Sequence, residues 1–255
     1  MNLFLLIIIS HLISDFLLQF DKLVQIKQKN KLKGFLSHGF IVFIITLFLT
    51  FIFGIKIAFL IAFIISIIHI VLDIIKENIM KIFKKLKIRN KKLLSKVKFY
   101  TFIVDQFLHF LIIFVIWDIF NKRFAIPVDT SMNYINSFGI DFRKILILII
   151  FYLIVLFVGA AFLEKLLNII DIQIDNQSND INMGKYIGII ERALILTLVT
   201  FGSLSSIGII FTAKSIARFN KLEEKHFVEY YLLGTLTSIF IALIGGLILK
   251  NIILF

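Results

Sequence analysis

The sequence predicts an all-α polytopic membrane protein, a transmembrane bundle of six to seven helical segments, and three observations lead there. Of 255 residues, 60% are hydrophobic and 17% charged. Mean hydropathy is +1.00. Apolar runs approach the ~20 residues that cross a bilayer as helix. A soluble domain of this length has apolar residues near half its sequence and interrupts them at helical or strand spacing. Strands of a membrane barrel alternate apolar and polar residues, and runs such as Ile41 to Phe53 do not. There is no Cys, which excludes disulfides, thiolate metal sites and cysteine nucleophiles. Any metal therefore takes imidazole and carboxylate ligands.

Seven apolar segments lie at about 2–20, 36–53, 56–76, 99–120, 143–163, 187–211 and 227–251. The first is expected to stay as a helix. It has no basic leader and no small-residue cleavage site, and it carries His11, Ser14, Asp15 and Gln19 inside its helical stretch. Basic residues flank the next three. Lys22, Lys27, Lys29, Lys31 and Lys33 stand against Asp21 in 21–34, and ten Lys and Arg stand against Glu77 in 76–98; these two stretches exceed the net charge of +12 between them. Basic loops beside apolar spans are the mark of the cytoplasmic side of an inner membrane, with an attraction to anionic headgroups. No aromatic-interleaved basic groove accompanies them, so membrane lipids, not nucleic acid, are the expected partners. A homo-oligomer is compatible with the sequence.

With both basic loops in the cytoplasm the N-terminus lies outside, and residues 1–120 form a regular four-helix region. Residues 121–255 form a second transmembrane region. There, strict alternation would put the acidic 164–186 loop inside and the 212–226 loop, with Lys214, Arg218, Lys221 and Lys225, outside, against the charge bias. The 187–211 segment is therefore expected to be re-entrant, broken around Gly202, Ser203, Ser205, Ser206 and Gly208. The 121–142 and 169–183 stretches, rich in Asn, Asp and Ser, read as polar loops.

Five His occur, at 11, 38, 69, 109 and 226, and three have an Asp four residues away: His11 with Asp15, His69 with Asp73, and His109 with Asp105. Four residues of helix place two side chains on one face, one turn apart. Ionisable groups within apolar helices cost several kcal/mol unless they face the bundle interior and find partners. At ~1.5 Å per residue, the three pairs and His38 fall in one layer near the cytoplasmic ends of the first four spans. Imidazoles and carboxylates at one height suit a divalent metal, with zinc the expected ion. The expected ligands are His11, His69 and His109 with Asp15 or Asp73, then His38; Asp105, Gln106 and a carboxylate not used as ligand are left as base or orienting groups. A metal-free proton or ion relay and simple interhelical hydrogen bonding are the competing readings. Gln19, Lys76 and Gln106 border the layer, where Lys76 would serve a phosphate or snorkel to the headgroups.

The runs His11-Leu-Ile-Ser-Asp15-Phe-Leu-Leu-Gln19, Ser37-His38, His69-Ile-Val-Leu-Asp73-Ile-Ile-Lys76 and Asp105-Gln106-Phe-Leu-His109 resemble the bacterial integral membrane family catalogued as domain of unknown function 3307. Downstream, 184–192, 213–219 and 229–238 also look like its longer members. In style the N-terminal half is similar to the YdjM-like membrane-bound metal-dependent hydrolases, a resemblance that implies hydrolysis by analogy.

In the second region, Lys214 and Arg218 lie four apart and Glu191 stands beside Arg192. These groups would clamp a phosphate or carboxylate, or pair with Glu229 or Glu223 to fasten helices; fastening is favoured. His226 reads as an interfacial loop residue, Trp117 as an aromatic-belt position, and the 30 Phe as lipid-facing bulk. The expectation is an inner-membrane metal-dependent hydrolase acting on a lipid or amphipathic substrate. An ion- or proton-coupled transporter using the same His/Asp cluster is the alternative, and a scaffold docking through its basic loops is a third reading.

Overall fold

The computed structural model describes residues 1–18, 31–85, 91–124, 141–170, 178–217, 219 and 225–254. Among them every element is helical. Helix α1 (Asn2–Leu12) runs into a π turn (Ile13–Leu17). Helix α2 (Lys31–Thr50) ends in a 3-10 turn (Phe51–Phe53), and α3 (Ile55–Lys85) and α4 (Lys91–Phe124) follow. Helix α5 (Phe142–Leu153) passes through a second π turn (Ile154–Val158) into α6 (Gly159–Ile170). The chain continues as α7 (Ser178–Thr200), α8 (Ser206–Ala217) and α9 (Lys225–Leu254).

Five helical stretches are long and apolar enough to cross a membrane: Leu32–Phe53, Ile55–Phe83, Lys92–Arg123, Phe142–Ile170 and Val228–Ile253. They answer to five of the seven segments read from the sequence. The first segment forms a shorter apolar helix, Asn2–Leu17. The 187–211 segment is not one helix: α7 stops at Thr200, and Gly202 at φ +83° carries the chain through a turn into α8. A positive φ is cheap only for glycine, so the break stands where Gly202 stands. Gln19, most of the first basic loop, the 86–90 stretch and Arg218 lie outside the described residues, as does the side chain of His226.

The chain divides into two units, Met1–Ile150 and Phe151–Phe255. In the first, α2 packs along α3, α1 packs on α2 and α4, and α3 packs on α4. Only Gly54, at φ +95°, separates the 3-10 turn after α2 from α3, so the two helices reverse on each other. Leu3 and Ile7 of α1, Val42 of α2, Ile61 and Ile65 of α3, and Ile113, Ile116 and Phe120 of α4 form one buried apolar cluster. Because neighbouring helices alternate in direction, this cluster fills the end where α1 and α3 begin. The end joined by 19–30 and 86–90 is left to the polar residues. Phe40, Phe48, Phe59, Phe63, Phe107 and Phe114 are exposed on the flanks, as lipid-facing bulk requires.

In the second unit α9 packs on α7, with the π turn and α6 against both. Val155, Ile195, Leu196, Val199, Ala242 and Leu249 are buried there. Helices α7 and α9 approach closely because α9 offers Gly245 and Gly246; a Cβ at Gly246 would stand 2.7 Å from Cβ and Cγ1 of Val199. Val is stiff at χ1 and cannot turn away. Gly246→Ala is expected to destabilise the protein by about 1–3 kcal/mol through overpacking, seen as a lower melting temperature of the full chain in detergent. Gly184→Ala, where a Cβ meets nothing within 4 Å, should not lower that temperature and gains helix propensity.

Candidate metal centre

Four helices deliver seven ionisable side chains to the end of the first unit opposite its apolar cluster. Helix α1 brings His11 in its last turn and Asp15 in the π turn that follows. That turn is closed by the amide of Leu18 donating to the carbonyl of Ile13, five residues back, at 2.9 Å. The wider turn changes the angle between His11 and Asp15 from that of a regular helix. Helix α2 contributes His38, α3 contributes His69 and Asp73 one turn apart, and α4 contributes Asp105 and His109. All except Asp15 are buried, and the Asp15 side chain is only 10% exposed.

Three of their atoms form a tight triangle. His38 Nε2 and His69 Nε2 are 2.9 Å apart. Asp15 Oδ1 lies 3.3 Å from the first and 3.2 Å from the second. Yet this oxygen accepts no aligned hydrogen bond. A tetrahedral ion at 2.0–2.2 Å holds its ligand atoms roughly 3.3–3.5 Å apart, and an ion about 1 Å above this triangle would be within bonding distance of all three. Asp73 Oδ2 stands next, 3.8 Å from His38 Nε2. On the other side of Asp15, its Oδ2 is 3.9 Å from His11 Nδ1. Each of the sets His11, Asp15, His69 and His38, His69, Asp73 offers ligand atoms within 4.8 Å of one another.

The rings pack around this triangle. His69 lies 4.9 Å from His38 and 4.5 Å from His109 between centroids, and His109 stacks on His11 at 4.9 Å. His109 Nδ1 is 2.8 Å from the carbonyl oxygen of Asp105. A carbonyl only accepts, so Nδ1 carries the proton and Nε2 keeps its lone pair. That Nε2 is buried and has no hydrogen-bond partner among the described residues.

The Asp105 carboxylate faces away from the triangle. It accepts from Lys76 Nζ at 2.6 Å and from Gln106 Nε2 at 3.2 Å, both on Oδ2. The sequence expectation put Asp105 and Gln106 as base or orienting groups; in the structure they hold Lys76. His38 enters the triangle, while His11 joins Asp15 and His69 in a second set of converging ligand atoms and His109 stands beside them. No Asp lies four residues from His38, so the sequence pattern undervalues it. Lys214 is placed too: its Nζ donates to Glu191 Oε2 at 2.5 Å, tying α8 to α7, so Glu191 is its fastening partner among the described residues, and Glu223 lies outside them.

The sequence reading passed over a set of buried hydroxyls. Ser10 Oγ donates to the Ile7 carbonyl and accepts from Thr46 Oγ1 at 3.1 Å; Ser14 and Thr50 donate to carbonyls one turn back, those of Ser10 and Thr46. Their signal was the same four-residue spacing, Ser10 with Ser14 and Thr46 with Thr50, inside apolar helices.

The family described as protein of unknown function (DUF3307) matches residues 3–137, a stretch that contains the whole cluster. The chain belongs to the DUF3307 family. No curated protein and no solved structure matches it. The match ends before α5, so the motifs at 184–192 and 213–219 lie outside the DUF3307 region.

Within that region Lys76 and Asp105 are a mutual requirement, because the Asp105 side chain is 4% exposed and Lys76 is its cation. Lys76→Met is expected to destabilise the fold by about 3 kcal/mol, the lower end for a buried pair since Lys76 is partly exposed. Lys76→Met with Asp105→Asn should recover most of that loss. Chemical denaturation of the four detergent-purified proteins, as a double-mutant cycle, checks the coupling.

Proposed function

We propose that this DUF3307 protein is a membrane-embedded metal-dependent hydrolase, with zinc or a similar divalent ion held by Asp15, His38 and His69 and with Asp73 as the fourth ligand or as acceptor for a bound water. The observation that carries this reading is the triangle itself: two imidazole nitrogens and a carboxylate oxygen about 3 Å apart with no aligned hydrogen bond to the oxygen. The donor set supports it: Asp15, His38, His69 and Asp73 supply the carboxylates and imidazoles that a divalent ion takes where no thiolate is present.

Held by these residues, a divalent ion would supply Lewis-acid chemistry for attack of water on a carbonyl or phosphoryl group. His109 presents a lone pair at Nε2 beside the triangle and is the base best placed to take a proton. Its Nδ1–H, donated to the Asp105 carbonyl, fixes that tautomer. Lys76, anchored by Asp105, is the cation that a negatively charged headgroup meets on the way in. His38 lies six residues inside the span Leu32–Phe53 and Asp73 ten residues before the end of Ile55–Phe83, about 9 and 15 Å deep at helical rise. That depth suits an amphipathic lipid substrate reaching in from the leaflet on the side of the basic segments, which the charge bias makes the cytoplasmic leaflet of a bacterial inner membrane. The likeness in style to YdjM-like hydrolases points the same way. In the full topology Asn2–Leu17 and the broken α7–α8 segment complete the six to seven membrane elements.

The second reading, passage of a proton or cation, is favoured by one feature. The buried hydroxyls of Ser10, Thr46 and Thr50 continue from the cluster toward the far end of α2 and extend the polar interior.

Metal analysis of detergent-purified protein is expected to give one divalent ion per chain. Asp15→Ala, His38→Ala and His69→Ala should each lower occupancy at least tenfold, while His109→Gln retains the ion. Stripping the ion with a chelator should lower the melting temperature of the wild type and leave His38→Ala unmoved. Wild-type protein without metal after growth in zinc, or occupancy indifferent to His38 and His69, refutes the centre. In proteoliposomes, cation uptake that depends on Thr46 and proceeds without hydrolysis of bilayer lipid would select transport over hydrolysis.

A further inference from the structure

The second unit buries a cation. Arg192 on α7 is 2% exposed. Its Nη1 donates to Ser238 Oγ at 3.1 Å and its Nη2 to the Leu156 carbonyl at 2.9 Å; its Nε is buried without a partner among the described residues. Both acceptors are neutral. Leu156 belongs to the π turn, whose wider register leaves a carbonyl free of its usual helical donor. Leu156 is also the middle residue of the span Phe142–Ile170, and Ser238 lies ten residues into Val228–Ile253. The guanidinium is thus held deep within apolar helices. Glu191, its neighbour in sequence, is hydrogen-bonded to Lys214 and makes no hydrogen bond to Arg192 among those described. Arg192 is left with a buried donor to spare.

The face of α7 leading to Arg192 is bare backbone. Gly184, Gly188 and Arg192 are spaced i, i+4, i+8 on α7 and share a face. A Cβ at Gly184 would meet nothing within 4 Å, and one at Gly188 would meet only Arg192 Nη1, at 3.3 Å. The glycines leave a track about 12 Å long at helical rise, running from the start of α7 to the guanidinium.

We propose that Arg192 is the end of an oxyanion site: the guanidinium binds a phosphate or carboxylate through its Nε and outer Nη donors, and the anion approaches along the Gly184–Gly188 face. An Arg fork recognises a planar pair of anionic oxygens in this way, and a Lys does not. The anion would supply the acceptor that Arg192 Nε lacks among the described residues. It arrives either as the head of a single-chain amphiphile lying along the track or as a free ion, and the two sources share one chemistry.

The full chain in a neutral detergent is titrated with dodecyl phosphate and separately with inorganic phosphate, with binding read by native mass spectrometry and by the rise in melting temperature. One-to-one binding of dodecyl phosphate that weakens at least tenfold in Arg192→Lys and in Gly188→Leu supports an amphiphile site. The same dependence with inorganic phosphate supports the site with a free ion as its ligand. Gly184→Leu, whose Cβ meets nothing within 4 Å, occupies the track away from the guanidinium and should weaken binding alike, so the test stands even where the Arg192 or Gly188 variant fails to fold. Binding equal in wild type and Gly188→Leu, or no binding of either anion, overturns the proposal and leaves Arg192 as a clamp on the π turn.

Discussion

Charge compensation in a medium without water is the constraint on which this structure turns. Apolar side chains fill both units, so an ion pair that would be worth little at a soluble surface becomes a condition of folding. In the first unit Lys76 answers Asp105, while Asp15 meets the imidazoles of His38 and His69 and Asp73 stands beside them. Four rings pack there at 4.5–5.7 Å between centroids, and the proposed divalent ion would sit where three ligand atoms already converge.

Much of this was legible in the sequence because the period of the helix is strict. His11 with Asp15, His69 with Asp73 and Asp105 with His109 announce themselves by four-residue spacing within apolar runs, and alternating helix direction then sets them at a common level. The places where spacing misled are those where a second helix decides. His38 has no Asp near it in sequence, yet α2 lies beside both α1 and α3, and its imidazole closes the triangle. Asp105 looked like a free carboxylate beside His109, but a cation 29 positions away takes it. Pairwise chemistry between helices is set by their rotation about their own axes, which spacing within one helix does not encode.

Irregular backbone was less legible still. The break between α7 and α8 could be read, because Gly202 and the serines around it mark it. The two π turns could not, since Ile13–Leu17 and Ile154–Val158 contain no residue that sets them apart from regular helix. Both stand at polar business: one carries Asp15 and the other offers the Leu156 carbonyl to Arg192. A π turn costs local hydrogen-bond geometry, so it persists where another interaction uses the altered direction of a side chain or a freed acceptor.

The adjacency of Glu191 and Arg192 shows why sequence neighbours do not solve a buried charge. Successive residues on a helix point about 100° apart, so side chains at i and i+1 face different partners. Glu191 turns to α8 and meets Lys214; Arg192 turns inward to α9 and the π turn. Formal charge summed along α7 is therefore a poor guide to electrostatic balance, and the sum has to be taken over each enclosed space. The species proposed for each unit follows from the donor geometry around it: a small divalent cation among imidazoles, and an oxyanion at a fork.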